Sequence, residues 1–289
     1  MSDRRQLLQL AHEGNSEAQF DLACAYDFDI PKDHKRAVRW YRKAADQGHA
    51  EAQNLLAECL REGVGTRKSN KEAVYWFRQS ALQGYADAQV SLGYALYYGT
   101  GIKKDVQEAF VWYRKAARQG HPSAQLNIGH MYRQGVGVRQ SWQRAIAWYK
   151  KAAAFRPNGP TSSLAAMHWL GRIYGGEEDH RPNVKQAVHW YTLAAERGDS
   201  QSQCSLGVHY MNGDGVPRDP KVAANWYRQA ALQNDEWACY LLGLCYRDGL
   251  GVRANRRWAR HWLSRAKDAG VKKAHAALQS LETISPDHR

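Results

Sequence analysis

What the chain lacks sets the first bounds. It contains no run of 18 apolar residues, so no membrane-spanning helix is expected. The opening stretch, Met1-Ser-Asp-Arg-Arg-Gln-Leu-Leu-Gln-Leu, is too short in apolar residues for a secretory signal, and no Asn-x-Ser/Thr sequon occurs; both predict a cytoplasmic protein. Cysteines number only five, an odd count without Cys-x-x-Cys spacing, which fits reduced thiols rather than a disulfide framework or a zinc site. The twelve histidines follow no register and form no His-Glu-x-x-His, and nothing orders a serine, a histidine and an acid into a catalytic set. No enzyme, no cofactor and no metal is therefore expected. Acidic residues are also scarce, 28 against 41 Lys+Arg, a formal charge of +13 over 289 residues.

What is present is a repeat. An indole followed by an aromatic or Leu recurs at Trp40-Tyr41, Trp76-Phe77, Trp112-Tyr113, Trp148-Tyr149, Trp190-Tyr191, Trp226-Tyr227 and Trp262-Leu263, at intervals of 36, 36, 36, 42, 36 and 36 residues. A second landmark, an aliphatic residue followed by a small one, keeps step with it: Leu22-Ala23, Leu56-Ala57, Leu92-Gly93, Ile128-Gly129, Leu170-Gly171, Leu206-Gly207 and Leu242-Gly243, with a last Leu278. Two landmarks in step make a tandem array.

Each unit reads as two helices. Small or apolar residues at −4, 0, +1, +3 and +4 from the landmark, as in Ala88, Leu92, Gly93, Ala95 and Leu96, form one stripe of a first helix. The second helix starts at Asp33, Ser69, Asp105, Ser141, Asn183, Asp219 or Asn255, each seven residues before its Trp and able to cap a first turn. It ends at Gly48, Gly84, Gly120, Gly198 or Gly270, or at Asn234. The glycine pairs between the helices, such as Gly63/Gly65 and Gly135/Gly137, follow a helix rather than a strand. They are turn chemistry, not a phosphate cradle. A hairpin of this size cannot bury its own stripe, so neighbours must stack, and the recurring Trp is expected to plug the core.

The motifs Ala124-Gln125-Leu-Asn-Ile128-Gly129-His-Met-Tyr132, Gly135-Val-Gly137-Val138 and Ala145-Ile-Ala-Trp148-Tyr149-Lys-Lys-Ala152-Ala153 carry a specific resemblance. The pattern resembles the Sel-one-like repeat, a branch of the tetratricopeptide-like solenoids, over about residues 6 to 282. The resemblance implies an all-α fold, a right-handed α-solenoid of seven helix-turn-helix repeats of about 36 residues with terminal capping helices. One array would fill residues 1–289: a cap at 1–15, repeats near 16–50, 51–86, 87–122, 123–162, 163–200, 201–236 and 237–272, and a cap with a polar tail at 273–289. It also implies a non-enzymatic scaffold that holds another protein, either a bacterial antidote to a toxin or a regulatory or assembly adaptor. The family's secreted members have paired cysteines in each repeat; this chain departs from that pattern.

Two irregularities interrupt the array. Phe155-Arg-Pro-Asn-Gly-Pro-Thr-Ser-Ser163 holds the six extra residues and reads as a longer loop. Gly175-Gly-Glu-Glu-Asp-His-Arg-Pro182 replaces a glycine pair and reads as a solvated loop rather than a metal site. Together they suggest a bend between repeats four and five.

Positions that vary along an array are free to specialise. Positions −5, −2, +2 and +5 share the first-helix face that lines the concave side in solenoids of this kind. Repeat three places Val90, Tyr94 and Tyr97 there, with Tyr98 beside them; repeat four places Leu126, His130 and Arg133. Repeat six offers Cys204, Val208 and Met211, and repeat seven Trp237, Tyr240, Leu244 and Arg247. These types are enriched at interaction hot spots, so the face is expected to bind a partner protein, although the same side chains would also suit packing inside a tight superhelix. Repeats one and two offer the polar Asp27, Asn54, Glu58 and Arg61 instead.

Charge is distributed in two ways. Arg42, Arg78, Arg114, Lys150 and Arg228 recur two residues after the Trp as an outer row, while Arg247 to Lys273 hold nine basic and two acidic residues. Arg256 and Arg257 fall in a first helical turn, where the helix dipole disfavours cations, and so join the candidate partner contacts. The partner is expected to be acidic or mixed acidic and apolar. Nucleic acid or another polyanion at the basic last repeat is the alternative, without a recognised nucleic-acid module to support it.

Overall fold

The structure, a computed structural model, describes residues 2–28, 32–154, 161–176 and 182–283, with the side chains of 2–4, 161–162 and 282–283 left aside. The extra residues at 155–160, the loop at 177–181 and the tail from 284 lie outside the described residues. Among the described residues there are sixteen helices and no strand, and no helix is long and apolar enough to cross a membrane.

The helices alternate as the periodicity predicts. First helices are α2 (Ser16–Phe28), α4 (Ala50–Glu62), α6 (Ala86–Tyr98), α8 (Pro122–Gln134), α10 (Thr161–Gly175), α12 (Ser200–Asn212) and α14 (Glu236–Asp248). Second helices are α3 (His34–Asp46), α5 (Asn70–Leu82), α7 (Val106–Arg118), α9 (Trp142–Ala152), α11 (Val184–Ala195), α13 (Pro220–Leu232) and α15 (Arg256–Asp268). The end helices α1 (Ser2–His12) and α16 (Lys272–Thr283) complete an all-α solenoid of stacked hairpins. The chain divides into two compact units, Met1–Ala152 and Ala153–Arg289.

The helix ends follow the local chemistry. Asp33, Ser69, Asp105, Ser141, Asn183, Asp219 and Asn255 each accept a backbone N–H from the first turn of a second helix. Among the described residues, α3, α5, α7, α11, α13 and α15 each hand over to the next helix through a left-handed residue. After α13 the residue is Asn234, with φ 66°, the one non-glycine with positive φ among the described residues.

The core bears out the indole as a plug in four repeats, where Trp40, Trp76, Trp112 and Trp262 are buried, and refines the expectation in the rest. The landmark residues Leu22, Leu56, Leu92, Ile128, Leu170, Leu206 and Leu242 are fully enclosed. The deepest ring, however, is not the indole but the residue after it. Tyr41, Phe77, Tyr149, Tyr191 and Tyr227 are all among the fully buried side chains, whereas Trp148, Trp190 and Trp226 are only half-buried. Several indoles, buried or half-buried, also carry a cation three residues on: Lys43 lies 4.1 Å from the Trp40 ring centroid, Lys115 3.9 Å from Trp112 and Lys151 4.2 Å from Trp148.

The small landmark residue makes room for the deep ring. A Cβ at Gly129 would sit 2.5 Å from Cε1 of Tyr149, and the same clash recurs between Gly207 and Tyr227. The ring therefore packs directly on the backbone of the first helix, and glycine is required there by close approach rather than by its dihedral angles.

Buried amides cross-link the stack, a feature the Ala-Gln motif carried unread. Gln19, Gln53, Gln89, Gln125 and Gln203 donate through Nε2 to the carbonyls of Ala11, Ala45, Ala81, Ala117 and Ala195 on the preceding second helix. Gln19, Gln53, Gln89 and Gln203 also accept from a glutamine at the end of the second helix that follows: Gln47, Gln83, Gln119 and Gln233. Each such rung satisfies a buried polar group and joins consecutive hairpins.

Candidate functional site

In the unit Met1–Ala152, the first-helix face of α6 carries a cluster of three tyrosines. Tyr94 and Tyr98 stand 48% and 61% exposed with ring centroids 4.5 Å apart, and Tyr97 meets Tyr98 edge-on at 4.9 Å. The Tyr97 hydroxyl donates to Oε1 of Gln134 at 3.4 Å, and Lys104 lies 5.9 Å from its ring. Val90 and Tyr97 are half-buried against the core of this unit, so Tyr94 and Tyr98 are the parts that face outward.

The neighbouring α8 residues behave differently. Leu126 and Arg133 are half-buried, and His130 turns inward: its Nδ1 and the Tyr149 hydroxyl share a 2.8 Å hydrogen bond. Burial, with Arg133 close by, lowers the His130 pKa to about 4, so the imidazole is neutral near pH 7. It serves as the polar lid of a buried tyrosine more than as an outward contact.

Of the polar residues of repeats one and two, Asp27, Glu58 and Arg61 are engaged within the fold. Asp27 accepts from His34 Nδ1 at 2.6 Å and from the Tyr41 hydroxyl at 3.3 Å. Glu58 joins Arg61 and also accepts from Ser91 Oγ at 3.2 Å. Histidines supply a further pattern. Nδ1 of His49 and His121 accepts from the first turn of α4 and α8, which leaves Nε2 to donate to Glu17 at 3.1 Å and Asp87 at 2.8 Å.

In the unit Ala153–Arg289, three successive first helices open a cleft of about 490 Å³. Its lining comes from α10 (His168, Arg172), α12 (Gln201, Cys204, Ser205, Val208) and α14 (Trp237, Leu241), with Asp235 and Glu236 at the α14 start. Val208 and Trp237, two of the predicted contacts, meet here, and Trp237 is 48% exposed. One lip is cationic: Arg172 lies 4.5 Å from the Trp169 ring centroid, and His168 Nδ1 is 3.1 Å from Ser202 Oγ. The other lip is acidic. Asp235 caps α14 by accepting from the Ala238 N–H at 2.8 Å, and burial raises its pKa.

The remaining predicted contacts of repeats six and seven are partly drawn into the fold. Met211 is half-buried against the core of this unit, and its carbonyl accepts from Arg218 Nε at 3.0 Å. Tyr240 stands edge-on to Trp237 at 6.0 Å, and Tyr240 and Leu244 pack on the cluster of Leu263, Ala277 and Leu281. Arg247 forms a two-pronged pair with Asp248, at 2.7 and 2.8 Å, which raises its pKa. Arg256 donates to the carbonyl of Leu281 near the end of α16, so this first-turn cation has a structural task. Arg257 is exposed.

Sequence reasoning missed His168, Arg172, Gln201, Ser205, Asp235, Glu236 and Leu241. The signal for three of them was available: His168 and Arg172 hold positions −2 and +2 in repeat five, and Gln201 holds −5 in repeat six. No cysteine here is an activated thiol. All five cysteines are free, and burial pushes the thiols of Cys59 and Cys245 up to about 12 and about 11, with Cys204 raised as well. Among the described residues no group of His, Cys, Asp and Glu is placed to hold a metal.

Comparison with known proteins agrees with this architecture. Residues 16–49, 50–85, 86–121, 122–154, 164–199, 200–235 and 238–271 each match the Sel1 repeat. No curated protein matches the chain. Two solved structures are similar over 96% of it. One is a protective antigen present in uropathogenic Escherichia coli strains, displaying an SLR fold, at 31% identity and TM-score 0.86. The other is a Sel1 repeat protein from Oxalobacter formigenes, at 29% identity and TM-score 0.80. The present chain spans 59% of the length of the first and 79% of the second. With seven matched repeats spread along nearly its whole length, the chain belongs to the Sel1 repeat family.

Proposed function

We propose that this protein is a non-enzymatic scaffold that holds a partner protein on its first-helix face, with the α10–α12–α14 cleft as the principal seat. The observation that carries the reading is Trp237, a large apolar side chain left half in water on the lip of a cleft with an apolar patch and charged margins. Sel1 repeats mediate protein–protein interaction, and hot spots of such interfaces favour Trp, Tyr and Arg in pockets that exclude water. The partner places an apolar side chain against Trp237, Val208 and Leu241, and a carboxylate toward Arg172. The exposed Tyr94 and Tyr98 offer a second contact area of the same kind.

The test is a pull-down from the source cells with the native chain and with Trp237→Ala plus Val208→Asp. The double variant should keep its far-ultraviolet circular dichroism and lose the partner. A folded double variant that retains every partner overturns the assignment. An antidote role is then separated from an adaptor role by deletion: loss of an antidote is tolerated only when its toxin is absent too.

A further inference from the structure

The outer face of the second helices carries an ion-pair ladder that breaks in repeat four. In the first two repeats the Arg two residues after the Trp reaches the acid on the next second helix: Arg42 to Glu72 at 2.7 Å and Arg78 to Glu108 at 2.9 Å, each thirty residues apart. The third rung, in the same register, sets Arg114 against residue 144, and residue 144 is arginine. Neither guanidinium has an ion pair among the described residues. Each turns instead onto an aromatic ring of its own side, Arg114 at 5.7 Å from the Phe110 centroid and Arg144 at 5.5 Å from Tyr132.

The surroundings sharpen the imbalance. Residues 101–154 contain ten Lys and Arg and only two acids. Both acids are occupied: Asp105 caps α7, and Glu108 belongs to the Arg78 rung. Arg114, Lys115 and Arg118 on α7 and Arg144 and Lys151 on α9 are all exposed. A solubilising surface needs no such single-sign field, and a repeat that copied the two before it would carry Glu at 144. Like charges placed in a salt-bridge register destabilise, so an arginine there calls for an anion from outside.

We propose that the outer face of α7 and α9 binds an acidic segment of a partner protein, with a partner carboxylate lying between Arg114 and Arg144 where Glu72 and Glu108 complete the earlier rungs. A protein is favoured over a nucleic acid by the state of the nearby rings. Trp112 and Trp148 lie beneath Lys115 and Lys151, which closes those two rings to stacking bases. This face belongs to second helices of the first unit and is independent of the Trp237 cleft.

The ladder supplies its own test. Arg144→Glu rebuilds the rung that Glu72 and Glu108 already make, so the full-length variant should fold with an unchanged or higher Tm. At about 0.15 M salt, where weak long-range attraction is screened, a fluorescent ten-residue glutamate peptide should bind the native chain and lose affinity at least tenfold with Arg144→Glu. Lys221→Glu, an equal change of charge on exposed α13, should leave the affinity within twofold. Arg114→Gln plus Arg144→Gln, which removes both cations without adding an acid, should also weaken the peptide at least tenfold. No binding of the peptide by the native chain, equal affinities for native and Arg144→Glu protein, or an equal loss with Lys221→Glu overturns the site. Binding of a 20-base-pair duplex DNA more tightly than the peptide, with the same dependence on Arg144, overturns the choice of a protein partner.

Discussion

The two units share one framework and differ in how they are cross-linked. In Met1–Ala152, buried glutamine follows the landmark alanine in every repeat, histidines bridge first-helix starts to acids of the preceding repeat, and two outer Arg–Glu rungs are complete. In Ala153–Arg289, the glutamine survives only at Gln203. Met167 and Cys239 take its place, and Asp199 and Asp235 replace the histidine caps. Apolar packing is therefore the common requirement, while polar cross-links are optional and vary with the surface each unit offers. The second unit, where the glutamine recurs once, opens a cleft beside a half-exposed tryptophan.

The largest test of that comparison concerns what the units share. Tyr149→Ala in the first and Tyr227→Ala in the second each remove a fully buried ring packed on a helix backbone, and each should cost about 3–5 kcal/mol. Urea denaturation of the two variants checks this. A loss below about 1.5 kcal/mol in either would show that its hairpins do not depend on the deep ring.

The next effect belongs to the first unit alone. His130 stays neutral in the fold down to about pH 4, whereas an unfolded chain protonates it near 6.5. Stability is complete above pH 6.5, falls as only the unfolded state gains the proton, and stops falling from this source below about 4. The loss is on the order of 3 kcal/mol. Urea midpoints measured from pH 7 to pH 4 should fall more steeply for the native chain than for His130→Asn. Parallel curves would remove His130 as the cause. The equivalent position in repeat six is Val208, which does not titrate.

The smallest of these effects probes the difference itself. Gln89→Met copies into the first unit what Met167 does in the second. It removes one hydrogen bond each from the Ala81 carbonyl and the Gln119 amide, which keep the Gly84 N–H and the Gly84 carbonyl as partners, at about 1 kcal/mol. Thermal unfolding would report it, and a loss under about 0.5 kcal/mol would mean that the ladder does not distinguish the two units.

Most of the architecture was legible in the sequence because it rests on local rules. Seven capping residues, the left-handed Gly or Asn junctions and the 36-residue spacing each have a short-range cause, and the structure follows them. What the spacing did not reveal was depth. Trp and the residue after it differ by one position on a helix, about 100° of rotation, and periodicity alone does not say which faces the glycine of the opposite helix. The buried role of Gln89 and its equivalents was hidden for a related reason: its acceptor is a backbone carbonyl, which carries no sequence signature. The candidate site was only partly readable. The register found Val208 and Trp237, yet His130, Tyr240, Leu244 and Arg256 share that register or charge and are drawn into packing, because exposure depends on the next helix.

One consequence of the glycine–tyrosine fit concerns growth. Gly129 and Tyr149 lie twenty residues apart within one hairpin, so each hairpin brings both halves of its own lock. A duplicated hairpin arrives with its interior already solved and has then to match its neighbours through apolar packing, with or without the glutamine rung. Arrays of this construction can lengthen or shorten by whole hairpins with little new strain, and their reach becomes a quantity that evolution adjusts in steps of about 36 residues.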